Sequence, residues 1–196
     1  LTHIGGYIAF DTLKIVEFCK EHGIYVFEDC AHSHGAEYNG MVAGSFGEFG
    51  VYSFHSTKTL TCGEGGVLVT KNKRLYDYAI KTRKYGYPNY SKYSRNNTMD
   101  EFTAAVAVVA VEDMDRILEL RREVASRYDS VWSNRVYLPD GMKSGYYKYI
   151  VFDEIPNSVG KVYENTCPSL MGDRGSYPNA EYITKNHWCV PLFIEG

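Results

Sequence analysis

"VYSFHSTKTLTCGEGGVLVT", residues 51–70, is the stretch whose reading decides the fold. Val51-Tyr52-Ser53-Phe54 reads as one strand, Gly66-Val67-Leu68-Val69-Thr70 as the next, and the glycines of "GEGG" (63–66) as a tight turn leading into it. Between the two lies Lys58, framed by Ser53, Ser56, Thr57 and Thr59. A lysine in that setting is a solvated charge, a phosphate clamp or a covalent catalyst. A nucleotide P-loop is excluded, because G-x-x-x-x-G-K-[ST] does not occur.

Upstream, Asp11 precedes a helical stretch over 12–22, with Leu13, Val16 and Cys19 at helical spacing and Gly23 as the stop. Ile24-Tyr25-Val26-Phe27 has the pattern of a buried parallel strand and runs into Glu28-Asp29 at its carboxyl end, where open α/β sheets bind ligands. "NGMVAGSFGEFG" (39–50) reads as turns. Downstream, Asn72 caps a helix reaching about Arg83, and a tyrosine-rich loop follows through "YGYPNYSKYSRNN". Residues 98–131 form one long helix or two in series, with an Ala/Val run at 104–111 assigned to core packing. "YYKYIVFDEI" (146–155) alternates as a strand, and the remainder, with Pro156, Pro168, Pro178 and Pro191, reads as a small α+β unit. The expectation is an α/β chain with domains at 1–120 and 121–196, the second incomplete.

Composition excludes several function classes. With 44% hydrophobic and 23% charged residues the chain is a globular, soluble type, and a net charge of -3 lacks the basic excess of a nucleic-acid binder. The tyrosines of 85–93, interleaved with Lys84, Lys92 and Arg95, are therefore assigned to a substrate or dimer-interface loop rather than a single-strand platform. Five cysteines without C-x-x-C spacing argue against a disulfide framework and a zinc ribbon, and point to a reducing cytoplasm. No run approaches the roughly 20 apolar residues of a membrane span, so no membrane partner is expected. The chain opens on Leu1, which is read as the start of an internal piece of a longer polypeptide.

Asp29, Ser53 and Lys58 each end or flank a strand. A carboxylate, an amine and clustered hydroxyls on one sheet edge could serve a pyridine nitrogen, a carbonyl and a phosphate respectively. Each also has a plainer reading: Asp29 as a turn former, Ser53 as a cross-strand polar neighbour, Lys58 as surface charge. Cys30, His32 and His34 invite a metal reading. They share a face only if that segment is extended, and no further ligand pair lies nearby, so no metal is expected. His34 is assigned a structural role. His55 stays open between lining the site and supporting it.

"VFEDCAHSHGAEYNG", "GSFGEFGVYSFHSTKTLTCGEGGVLVTK" and "NNTMDEFTAAVAVV" resemble the DegT/DnrJ/EryC1/StrS family of pyridoxal-phosphate sugar aminotransferases, with weaker similarity in "LRREVASRYD", "SGYYKYIVF" and "HWCVPLF". The resemblance implies part of the large domain of a fold type I transferase, mostly parallel in its sheet, followed by a smaller α+β domain. It implies pyridoxal 5'-phosphate as cofactor, with Lys58 forming the internal aldimine and moving the substrate proton. Asp29 is then placed at the pyridinium nitrogen, His32 against the ring, Ser53 on the phosphate, and Asn96 on the phosphate of a neighbouring subunit, which implies a homodimer with shared active sites. The implied reaction transfers an amino group from glutamate to a nucleotide-linked keto-sugar, with a role in polysaccharide biosynthesis as the family-level expectation. The alternatives are a non-catalytic truncated homologue and a sugar dehydratase; Lys58 argues against the latter, where a histidine replaces the lysine. Thr59 stands where the family commonly has asparagine, Thr98 where it often has arginine, and the family's N-terminal phosphate loop has no counterpart here.

Overall fold

A computed structural model describes residues 1–90, 92–155, 160–173 and 175–193. Pro156 falls outside them. The chain divides into two compact units: residues 1–118 with 139–147, and 119–138 with 148–196. The change of unit at 118/119 lies inside a helix, but the second unit is not the single segment expected from the sequence, because 139–147 returns to the first.

The first unit begins with α1 (Thr12–Glu21), whose chain leaves through Gly23 at positive φ. It runs to β1 (Phe27–Asp29), three residues further on than the expected strand at 24–27. The shift has a cause in hydrogen bonding. The Val26 N–H donates to the Glu48 carboxylate at 2.6 Å, and backbone pairing with β4 starts only at Phe27. Tyr25 is exposed. A hairpin follows, β2 (Glu37–Tyr38) and β3 (Met41–Val42), around Asn39-Gly40, both at positive φ as a two-residue turn of this hand requires.

β4 (Phe49–Ser53) pairs parallel to β1, with Phe27 opposite Phe49 and Asp29 opposite Val51. β5 (Gly66–Val69) pairs antiparallel to β4, with Ser53 opposite Gly66. Residues 1–3 lie along the other side of β1, bonded through Leu1 O to the Asp29 N–H and through the His3 N–H to Asp29 O. Side chains alternate across the sheet. Glu28 and Gly50 point to the buried face, whereas Phe27, Asp29, Val51 and Leu68 line a face that stays open to solvent, a departure from the buried parallel strand expected.

α2 (Lys73–Arg83) is capped by Asn72 Oδ1, which accepts the Arg74 and Leu75 N–H groups. Asp100 caps α3 (Glu101–Glu112) in the same way, and α4 (Met114–Asp129) follows across a one-residue break, so the long helical stretch is two helices. Phe54, Leu60 and Ala107 are buried together, with Tyr52, Met99, Met114 and Ile117 packed around them. Of the Ala/Val run, however, only Ala107 is buried; Val106, Val108, Val109 and Val111 are exposed. α3 packs through one narrow side among the described residues, so the core assignment holds for that side alone. β6 (Met142–Lys143) then pairs antiparallel to β2, which ties 139–147 to the first unit.

In the second unit, β7 (Tyr149–Val151) pairs antiparallel to β8 (Trp188–Val190), with α5 (Cys167–Leu170) and α6 (Pro178–Asn186) between them in sequence. Tyr149 donates to Asp129 Oδ1 at 2.7 Å, and Tyr128 to the Pro191 carbonyl at 2.6 Å. The strand expected over 146–155 shortens to three residues, because only these have a partner strand. Among the described residues, no helix is long and apolar enough to cross a membrane.

Candidate active site

Asp29 ends β1 and Ser53 ends β4. The strands are parallel and in register, so both residues reach the same edge of the sheet, and both sit on its open face: Ser53 is two residues beyond Val51, the partner of Asp29. Asp29 is exposed, with Oδ1 accepting the Ala31 N–H at 3.0 Å. Ser53 Oγ accepts the His55 N–H at 3.3 Å and opens the turn that delivers Lys58. That turn is closed by the Lys58 N–H to His55 O at 2.9 Å.

His55 braces the turn. Its Nδ1 accepts the Thr57 N–H at 3.3 Å and meets Thr57 Oγ1 at 3.1 Å, while Nε2 faces Glu64 Oε1 at 3.7 Å. Thr59 is buried, and its Oγ1 has no hydrogen-bond partner among the described residues.

His32 and Lys58 are brought together by a residue that sequence reasoning missed. The Tyr147 ring lies 4.4 Å from the His32 ring, and Lys58 Nζ lies 5.2 Å from the Tyr147 centroid. Tyr147 lies 89 positions beyond Lys58, so no spacing rule could have paired them. The small residues of "SGYY" permit the approach. Ser144 Oγ and the Gly145 N–H both donate to Gly6 O, at 2.8 and 3.0 Å, and a Cβ at Gly145 would overlap the His34 carbonyl. Only glycine lets the segment come this close.

Asn96 is exposed, at the end of the tyrosine-rich loop, in a bridge with Lys84. No hydrogen bond joins it to Asp29, His32, Ser53 or Lys58 among the described residues.

A second cluster lies beneath the sheet. Glu28 is fully buried; Oε1 accepts the Phe46 and Gly47 N–H groups at 2.8 and 2.7 Å, and Oε2 accepts the Gly44 N–H at 2.7 Å and His3 Nε2 at 3.0 Å. Burial alone would push this carboxyl up, but the bonds from His3 and from the Gly47 and Gly44 N–H groups outweigh it and hold it below its ordinary value. The ligand atoms of His3, Glu28 and Cys30 lie within 4.8 Å of one another. Their chemistry does not suit a metal: His3 Nδ1 accepts the Ala9 N–H, which leaves the proton on Nε2, and burial pushes the Cys30 thiol up to about 12. The cluster instead anchors the strand that carries Asp29 to the 44–47 turn.

Comparison with known proteins gives this geometry its context. The model of the DegT/DnrJ/EryC1/StrS aminotransferase family matches residues 1–152. The chain belongs to that family, and its fold is that of the aminotransferases. It is 32% identical over 144 residues to the GDP-perosamine synthase of Escherichia coli O157:H7, covering 71% of this chain and 40% of the relative. It is 30% identical over 178 residues to the L-glutamine:2-deoxy-scyllo-inosose aminotransferase of Streptomyces kanamyceticus, covering 81% and 41%. Among solved structures, DesV of S. venezuelae, in complex with a ketimine intermediate, superposes with a TM-score of 0.86 at 24% identity, over 99% of this chain and 60% of DesV. The chain thus spans about two fifths of these curated relatives.

Proposed function

We propose that Lys58 is the carbonyl-binding amine of a pyridoxal-phosphate site, and that the protein moves an amino group from glutamate to the ketone of a nucleotide-linked sugar. The observation that carries this reading is the placement of Asp29 and Ser53 on one face and one edge of a parallel strand pair, with Lys58 on the turn that Ser53 opens. The donor set fits the cofactor. An exposed carboxylate suits a protonated ring nitrogen, the hydroxyls of Ser53, Ser56 and Thr57 suit a phosphate, and Thr59 Oγ1 beside the lysine is a buried hydroxyl with unmet hydrogen-bonding capacity.

When bound, pyridoxal phosphate supplies an electron sink that stabilises negative charge on the amine-bearing carbon. Asp29 would keep a proton on the ring nitrogen, His32 would lie against the ring, and Ser53 would bind the phosphate together with Asn96 from a second copy of the chain. Lys58 Nζ would take the proton that leaves the donor's α-carbon in the first half of the exchange and would deliver the proton that the aminated sugar carbon gains in the second. In the net exchange the nitrogen of glutamate replaces the ketone oxygen of the sugar, which leaves as water, while water supplies the carbonyl oxygen of 2-oxoglutarate. Family membership and the sugar named in the first relative support this substrate class. The name of the second relative makes glutamine the other donor to test.

The test is a single half-reaction. Purified protein loaded with pyridoxal phosphate and given glutamate should release 2-oxoglutarate in amounts stoichiometric with sites. Lys58→Ala should lower that rate roughly a thousand-fold or more, and an undiminished rate in the variant would refute the assignment.

A further inference from the structure

Tyr147 stands out because the sequence pointed to Lys58 and His32 separately and the fold joins them through this one ring. Its centroid is 4.4 Å from that of His32 and 5.2 Å from Lys58 Nζ. His32 is buried, and both Tyr147 and Lys58 are partly buried, so the contact is shielded from bulk water on part of its surface. An aromatic face attracts an ammonium through its quadrupole and has no comparable attraction for the neutral amine. At 5.2 Å the cation is within the range in which that attraction operates.

We propose that Tyr147 is a positioning residue for Lys58. Its ring face is the resting place of the Lys58 ammonium whenever the amine is not joined to a carbonyl, and the side chain leaves it once the ammonium has passed its proton to water and the neutral amine can attack. The ring is fixed for this task from both directions. His32 packs against it, and the Ser144–Gly145 anchor on Gly6 O fixes the backbone just before it, with the Tyr146 N–H closing onto Ser144 Oγ at 2.8 Å. Among the described residues, the titratable side chains near the lysine turn include Asp29 at the end of β1, His32 after it, and His55, Cys62 and Glu64 in the β4–β5 connection. His55 and Glu64 face each other, at 3.7 Å.

The inference rests on Lys58 being the reactive amine of the site, but its test needs no cofactor, so the two can fail separately. Trace acetylation of the purified protein with acetic anhydride, resolved by peptide mass spectrometry, reports the reactivity of each lysine. Tyr147→Leu removes the ring face, and Tyr147→Phe keeps it. Near pH 8, Lys58 in the Tyr147→Leu variant should be acetylated about two- to five-fold faster than in wild type, with Tyr147→Phe matching wild type. The excess should vanish at the alkaline limit of the profile, where every amine is neutral. No acceleration near pH 8, or an equal acceleration at every pH, would overturn the proposal, the second because it describes loss of a steric shield. If Tyr147→Leu does not fold, the wild-type protein provides its own test after reductive 13C-methylation: the Lys58 methyl resonance should be displaced upfield by the ring, and an undisplaced resonance would be decisive against it.

Discussion

At the scale of single residues, the lysine turn and the cluster beneath it make different kinds of demand. Glu28 has four donors on two oxygens. Glu28→Gln puts an amide N–H₂ where acceptors are required, and each stranded buried group costs about 1–3 kcal/mol. That loss should appear as a lowered unfolding midpoint in urea. Because the folded Glu28 carboxyl is held below its ordinary value, the stability it confers is complete above about pH 4.3 and is lost as the pH falls from there through the folded value. A urea titration at pH 3 to 6 should show that decline in wild type and a weaker one in Glu28→Gln. Thr59→Val gives the opposite sign. It removes an unpaired buried hydroxyl and should raise stability by about 1 kcal/mol. The meeting of Asp29 and Ser53 at one sheet edge was legible because each ends a strand, and Lys58 follows Ser53 closely enough to fall on the turn it opens. Glu28 was read only as the strand's polar end, since which of two adjacent carboxylates is buried depends on His3, far off in sequence. Tyr147 was illegible for the same reason, on a longer span.

At the scale of elements, hydrogen-bonding residues at the ends of segments carried most of the sequence signal. The helix expected from Asn72 to about Arg83 is α2, and Asn72→Ala should cost about 1 kcal/mol of stability in chemical denaturation. The strands were less accurate. Pairing decides where a ladder begins, and a side-chain carboxylate, Glu48, took the Val26 N–H that the apolar pattern had assigned to the sheet. The return of 139–147 was unreadable without its partner, because β6 is two residues long and exists only through β2. Gly145→Ala should expel this segment, at a cost of about 1–3 kcal/mol for the overlap with the His34 carbonyl. It should also abolish the Lys58–Tyr147 contact while leaving β1, β4 and β5 intact, which backbone amide shifts would register.

At the scale of the whole molecule, the sequence led to the family and the fold class, since three extended motifs in a fixed order carry more information than any single residue. It did not lead to the manner in which the chain is split, because the second unit is interrupted in sequence by a segment of the first. Asn96 belongs to this scale as well. If it acts on the phosphate of a neighbouring copy, then Lys58→Ala and Asn96→Ala proteins, each inactive alone, should regain about a quarter of wild-type activity when mixed, through the one intact site of each hybrid dimer; absence of recovery would confine Asn96 to its own subunit. The central claim, that Lys58 binds the cofactor carbonyl, is tested most directly by loading the protein with pyridoxal phosphate, reducing it with borohydride and mapping the modified peptide. Labelling that is stoichiometric, confined to Lys58 and lost when glutamate is added before reduction is the expected result. Label scattered over surface lysines, with Lys58 unmodified, would contradict it.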